Sequence, residues 1–219
     1  MKLILASNSP RRRELLQQVG LSFQVLPSDC EEICSLDRPE DLVEELARQK
    51  AENVAERVGK EHFQSGEHAL AAPGENACEQ LTEDVRQPIL VLGADTVVAL
   101  NGRILGKPAD EKQAFDMLQA LQGDSHQVYS GVALFLLSGD TRRVERSKTF
   151  HVKTQVDVYP MTEEEIRRYI ATGEPMDKAG AYGIQGSFAA YIRGIVGDYY
   201  NVVGLPVSRL VHELQEFYC

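Results

Sequence analysis

The chain has 219 residues, 43% of them apolar and 26% charged, an ordinary balance for a soluble globular protein and enough length for one large core or two lobes that share it. Asp plus Glu number 33 against 23 Lys plus Arg, and the resulting net charge of −10 argues against a broad nucleic-acid-binding face while making any local cluster of arginines conspicuous. Cys30, Cys34, Cys78 and Cys219 lack paired C-x-x-C spacing, no stretch nears the ~18 apolar residues of a membrane span, and the first apolar run is too short for a signal peptide, so the expectation is a cytoplasmic protein with reduced thiols, no structural zinc and no membrane.

In chain order, Leu3–Ala6 predicts a buried strand that runs into Ser7-Asn8-Ser9-Pro10, a helix start in which Ser9 suits the N-cap and Pro10 the first helical position. Arg11, Arg12 and Arg13 follow at once, where the helix dipole disfavours cations. With the serine hydroxyls and free backbone N–H groups they form a candidate polyanion site, phosphates being the simplest ligand; the plain alternative is a solvated basic turn. Gly20 closes this helix, Phe23–Leu26 reads as a second strand, and Asp29-Cys30-Glu31-Glu32 as an acidic loop. A long helix is expected from about Pro39 to Val58, and Lys50 lies inside its apolar stripe, either snorkelling to the core edge or aimed at a ligand.

Residues 60–88 are rich in Gly, Ala, Glu and Gln and read as a long, flexible insertion. Ile89–Leu100 predicts a buried strand interrupted at Gly93-Ala94-Asp95-Thr96, with Asn101-Gly102 as a hairpin turn. A helix over Ala109–Leu121 precedes two antiparallel strands, His126–Leu137 and Val144–Val158, turned at Ser138-Gly139-Asp140. Thr162 and Glu165 make a capping box for a short helix ending at Gly173. A Gly-rich loop, Asp177–Gly186, a strand, Phe188–Val196, and a last amphipathic helix opened by Pro206 complete the chain.

Asp95 is the sharpest single residue. A carboxylate inside an apolar strand needs a metal, a lysine or several backbone donors as partner, unless it is a structural Asp at a bulge. Glu31 and Glu32 lie in a loop that could face it, and carboxylates from separate segments are the usual way to hold Mg²⁺ beside phosphates; a solvated acidic turn is the plain alternative. Lys107, between Gly106 and Pro108, is a fixed positive point, and Gln185, between glycines in Gly183-Ile184-Gln185-Gly186, offers an amide that can read a base edge. The five histidines show no metal-ligand spacing, and neither a Ser-His-Asp order nor a Walker glycine loop is present.

Taken in order, SNSPRRRELL (Ser7–Leu16), GADTVV (Gly93–Val98), GKP (Gly106–Pro108), HQVYSGVAL (His126–Leu134), GEPMDKAGAYGIQG (Gly173–Gly186) and NVVGLP (Asn201–Pro206) resemble the Maf family of nucleotide pyrophosphatases along nearly the whole chain. The resemblance implies an α/β, inosine-triphosphatase-like fold, a single domain over 1–219 with a long twisted mixed sheet, flanking helices and a cleft between two lobes. It implies hydrolysis of a nucleoside triphosphate to the monophosphate and pyrophosphate with a divalent cation, Mg²⁺ or else Mn²⁺ or Co²⁺, in a homodimer. By position, Ser7, Arg11 and Arg12 match phosphate-binding residues, Lys50 and Lys107 two lysines, Glu32 an acidic loop residue and metal helper, and Asp95 the proton acceptor or metal ligand or both. Arg11, Thr96 and Gln185 match positions tied to substrate choice, and the GIQG form resembles the branch acting on dTTP and UTP, a nucleotide-pool housecleaning role that could extend to modified pyrimidines. The second reading is a regulator of cell division and septum formation that binds nucleotide without turning it over. The chain departs from the family pattern in the length of its 60–88 insertion, in Ser130 where threonine is common, and in Ala189-Ala190 where glycines are usual.

Overall fold

Strand β1 (Lys2–Leu5) pairs in parallel with β2 (Gln24–Val25) on one side and with β3 (Ile89–Leu100) on the other. The computed structural model describes residues 1–32, 34–68 and 87–218. Beyond β3 the pairing turns antiparallel, through β5 (Ser125–Leu137), β6 (Val144–Val158) and β7 (Ile192–Val196). Strand β4 (Arg103–Leu105) folds back on the far end of β3 through Asn101 and Gly102, whose φ of 49° and 79° are what a two-residue hairpin turn requires. Among the described residues these make one seven-stranded mixed sheet, ordered β2-β1-β3-β5-β6-β7 with β4 off that path.

Alternation along the strands divides the apolar residues between two faces. Leu3 and Leu5 of β1 and Leu90 and Leu92 of β3 join one core cluster; Ile4, Ile89 and Val91 join the other. The second face is covered by α2 (Pro39–His68), which lays Ala47, Ala51, Val54 and Ala55 on the sheet. The first face is covered by α1 (Pro10–Gln18), α3 (Glu111–Leu121), α4 (Glu163–Ile170), α5 (Tyr199–Val203) and α6 (Val207–Tyr218), around Leu16, Leu118, Ile166, Leu210 and the fully buried Phe188. The expected caps are present: the Ser9 side chain accepts from Arg12 N, and Thr162 and Glu165 form the reciprocal capping box of α4. No helix among the described residues is long and apolar enough to cross a membrane.

Several expectations are corrected. Strand β3 is not interrupted at Gly93–Thr96; its pairing with β5 is regular from Ile89 to Ala99, so Asp95 sits in a continuous ladder and not at a bulge. Gly93 is there for close approach. A Cβ at Gly93 would collide with the Ala47 carbonyl and lie 2.8 Å from Ala51 N, and one at Gly131 would collide with the Val43 carbonyl. The two glycines let the α2 backbone rest directly on β3 and β5. Helix α2 runs to His68 and not to Val58; the Lys, Glu and Gln residues after Val58 have high intrinsic helix propensity and need no apolar period to continue it. The rest of the expected insertion, 69–86, lies outside the described residues. The expected strand over Phe188–Val196 starts as a 3-10 turn, Ser187–Tyr191, because Phe188 turns into the core, and only Ile192–Val196 is extended. Helix α5 was not expected; Asp198 caps it by accepting from Tyr200 N at 2.8 Å.

Candidate active site

The cleft follows from how β3 changes partners. Strand β1 ends at Leu5, opposite Leu92, and β4 ends at Leu105, opposite Val98. Between these points no strand among the described residues covers that edge of β3. Side chains from both faces of β3, Asp95 from one and Thr96 from the other, therefore reach one cleft of about 1010 Å³. The loop after β1, the start of α1, the middle of α2, the turn after β4 and the Glu174–Gly186 segment form its walls.

Asp95 continues the Gly93 face of β3, under α2, and there it meets Lys50. Lys50 Nζ donates to Asp95 Oδ1 at 2.6 Å and lies 2.9 Å from Glu32 Oε1. Lys50 thus points into the cleft, where it is tied to two carboxylates. Its reach is set by the two glycines, because a helix standing further from the sheet would carry Lys50 away from Asp95.

On the other face, Arg12 is a tie between three segments. Its Nε donates to Gly204 O at 2.9 Å, Nη1 to Ser7 Oγ at 3.1 Å and Nη2 to Thr96 Oγ1 at 3.2 Å. Burial lowers its pKa from the ordinary value, and Asp95 opposes that shift. Thr96 Oγ1 is also 2.8 Å from Ser130 Oγ, which donates to Asn201 O. Ser7 is buried and accepts from Ser9 N, so the first loop is organised from inside. Among the described residues, Arg11, Lys107 and Gln185 line the same cleft without a side-chain hydrogen bond to the protein. Lys107 is exposed on a turn anchored by the Gly180 N–H, which donates to Gly106 O at 3.0 Å.

Sequence reasoning did not single out Asp177 and Lys178, which also line the cleft and pair at 2.6 Å. Burial alone would raise the Asp177 carboxyl, but the Lys178 hydrogen bond and the positive charges of Lys178 and Arg11 hold it below the ordinary carboxylate value. Both lie inside the long Gly173–Gly186 motif, and a cation next to an anion in a Gly-rich turn was the available signal.

Glu32 and Asp95 come from separate elements, and both touch Lys50 Nζ, so two carboxylates converge on one point of positive charge. No group of three His, Cys, Asp or Glu side chains able to hold a metal exists among the described residues. That donor set fits a hard divalent cation that takes its remaining oxygens from water and substrate phosphates, and does not fit an all-protein cage.

The family described as Maf-like protein matches residues 2–217. The chain belongs to the Maf family. Among curated Maf relatives, the dTTP/UTP pyrophosphatase of Agathobacter rectalis is 51% identical over 215 residues, spanning 98% of this chain and 97% of that protein. The dTTP/UTP pyrophosphatases of Bacillus cytotoxicus and Bacillus cereus are 46% and 44% identical over 217 residues, each match spanning 99% of this chain and 95% of the relative. Among solved structures, the nucleoside-triphosphatase / dITP/XTP pyrophosphatase of Mycobacterium abscessus aligns over 74% of this chain and 76% of that one at 12% identity, with a TM-score of 0.36, a likeness too slight to rest anything on.

Proposed function

We propose that the chain hydrolyses nucleoside triphosphates, dTTP and UTP by preference, to the monophosphate and pyrophosphate. One observation carries this reading: Asp95, held at 2.6 Å by Lys50, stands in the same cleft as cationic groups and an amide that, among the described residues, make no side-chain hydrogen bond to the protein. Arg11 and Lys107, with the two Arg12 protons not used inside the protein, bind the triphosphate and stabilise the charge that gathers on the departing pyrophosphate. Asp95 orients the attacking water and takes its proton as oxygen bonds to the α-phosphorus. The bond from that phosphorus to the α–β bridging oxygen then breaks, and pyrophosphate leaves with the electron pair. Lys50 keeps Asp95 aimed and keeps its charge compensated before substrate arrives. Glu32 and Asp95 would hold the divalent cation, which supplies further positive charge and makes a bound water more acidic. Gln185 reads the base.

A regulator that only binds nucleotide has no use for a carboxylate aimed at the phosphates from a strand interior, so the hydrolytic reading is preferred. The cytoplasmic setting and the homodimer implied by the family are checked by cell fractionation and by sizing in solution. The deciding experiment measures pyrophosphate release from a panel of nucleoside triphosphates with Mg²⁺, Mn²⁺ or Co²⁺ and with chelator. Turnover with dTTP or UTP at the head of the panel is expected; tight dTTP binding without pyrophosphate release would establish the regulator instead.

A further inference from the structure

Gln185 sits exposed at the tip of a short turn, closed by Gly186 N donating to Gly183 O at 3.2 Å. An amide can select among bases only if it is held still, and glycines on both sides of Gln185 do not hold it. The rigidity comes from outside the turn. Tyr169, in the last turn of α4, is 4% exposed and packs its ring against Phe188 at 5.1 Å between centroids. Its hydroxyl accepts from Gly183 N at 3.2 Å and donates to Glu174 Oε1 at 2.9 Å. The other carboxylate oxygen, Glu174 Oε2, accepts from Ser187 N at 3.1 Å and from Ser187 Oγ at 2.9 Å. One tyrosine and one glutamate thus pin the segment at Gly183 and again at Ser187, and Gln185 lies between the pins.

The fit is close. A Cβ at Gly186 would collide with the Glu174 carboxylate, so this glycine is required for the carboxylate to lie flat against the turn. The donor and acceptor roles are consistent. Burial tends to raise the Glu174 carboxyl, but the bonds from Ser187 and Tyr169 outweigh it and hold the group below the ordinary value, as an acceptor-only anion. Burial raises the Tyr169 hydroxyl, which therefore stays a donor.

We propose that Tyr169 and Glu174 are a positioning pair that fixes the Gly183–Ser187 turn and thereby sets the nucleotide preference exerted by Gln185. The proposal rests on the reading of Gln185 as the base-contacting group. Tyr169→Phe is the clean probe, because it removes the hydroxyl and keeps the ring on Phe188. The full chain is assayed as wild type, Tyr169→Phe, Glu174→Gln, Gln185→Ala and the double variant Tyr169→Phe/Gln185→Ala, with kcat and KM measured for dTTP and GTP and folding followed by thermal melting. Tyr169→Phe is expected to reduce the dTTP-to-GTP preference in kcat/KM by about five-fold, one hydrogen bond's worth, mainly through KM for dTTP. Glu174→Gln should act in the same direction. In the Gln185→Ala background the loss of the hydroxyl should leave the preference where Gln185→Ala alone put it. A pair that only stabilised the fold would lower both nucleotides alike in both backgrounds, and that result overturns the proposal. If Gln185→Ala lowers the preference and Tyr169→Phe does not, positioning is wrong and base reading stands. If Gln185→Ala leaves the preference intact, base reading fails and the proposal fails with it.

Discussion

Lys50 Nζ lies 2.6 Å from Asp95 Oδ1, and each side chain is 13% exposed, so the two charges meet in the wall of the cleft and not in open water. They come from α2 and β3, 45 positions apart in sequence. The pairing satisfies the carboxylate's need for a partner and still leaves its second oxygen for a water. Asp95→Asn is therefore expected to fold normally, since the amide keeps the volume and its carbonyl still accepts from Lys50. It should lose about 10²- to 10⁴-fold in turnover, the usual contribution of a general base. Circular dichroism and pyrophosphate release on the same sample check this. A folded variant keeping more than about a tenth of wild-type turnover, a loss below ~1.4 kcal/mol of barrier, removes Asp95 from that role.

Gly93 carries a second prediction. Alanine there must push α2 off the sheet, because the collision is with helix backbone and not with a movable side-chain tip. Gly93→Ala should cost about 1–3 kcal/mol in denaturant unfolding. It should also depress turnover, because Lys50 rides on the displaced turn of α2. Gly194→Ala, where an added Cβ meets nothing within 4 Å, should leave both near wild type. A Gly93→Ala protein as stable and as active as wild type would show that α2 can stand away from the sheet without consequence.

What could be read from sequence has a physical pattern. Lys50 and Asp95 stand out in the sequence because each is a charge inside an apolar pattern, and Arg11 because it opens a run of cations in a first helical turn, whereas Lys107 and Gln185 are weak signals alone and are marked by the family motifs that contain them; the structure brings all five to one cleft. The capping box at Thr162 and the hairpin at Asn101-Gly102 were legible because their determinants lie within a few residues. Gly93 was misread as a strand break, since a glycine that admits a helix backbone looks the same in one dimension as a glycine that ends a strand. The bonds from Arg12 to Thr96 and Gly204 span 84 and 192 positions and have no local signature. Helix α5 was missed because Tyr199-Tyr200-Asn201-Val202-Val203 favours strand, and tertiary contacts override that preference: Asn201 is buried and donates to Val128 O and Thr154 Oγ1.

A third prediction concerns acid stability. His126 is fully buried on β5, with Nε2 2.7 Å from Tyr182 Oη. Burial pushes its pKa from 6.5 down to about 4, against the pull of Asp157 and Asp124. The unfolded chain thus binds a proton that the folded chain refuses between those values. The His126 contribution to stability is fully present above pH 6.5 and is lost as pH drops toward about 4, about 3 kcal/mol for this group. Carboxylates such as Glu165, held below its ordinary 4.5 by bonds from Thr162, lose their contribution only as pH falls below about 4.5, so their loss lies mostly beneath the interval from pH 7 to pH 5. Urea midpoints at pH 7 and pH 5 should differ in wild type and differ much less in His126→Gln, which keeps a partner for Tyr182. Equal pH dependence in the two proteins would assign the loss to another group.

The last prediction separates two neighbours. Arg11 and Arg12 are adjacent in the first turn of α1, yet the structure gives them different work. Arg12 spends three of its donors on Ser7, Thr96 and Gly204, closing one end of the cleft. Arg11, among the described residues, makes no such bond and lines the cleft. Removing Arg12 leaves the Gly204 carbonyl without its strongest donor, so Arg12→Ala should lose about 1–3 kcal/mol of stability along with activity. Arg11→Ala has nothing of that kind to lose. Its melting temperature should stay near wild type, while kcat/KM for dTTP falls by about tenfold to a hundredfold, the value of one charge-assisted phosphate contact. Paired melts and kinetics on the two variants decide it. If Arg11→Ala destabilises the protein as much as Arg12→Ala does, Arg11 is part of the scaffold, and the cations left for the triphosphate are Lys107 and the spare protons of Arg12.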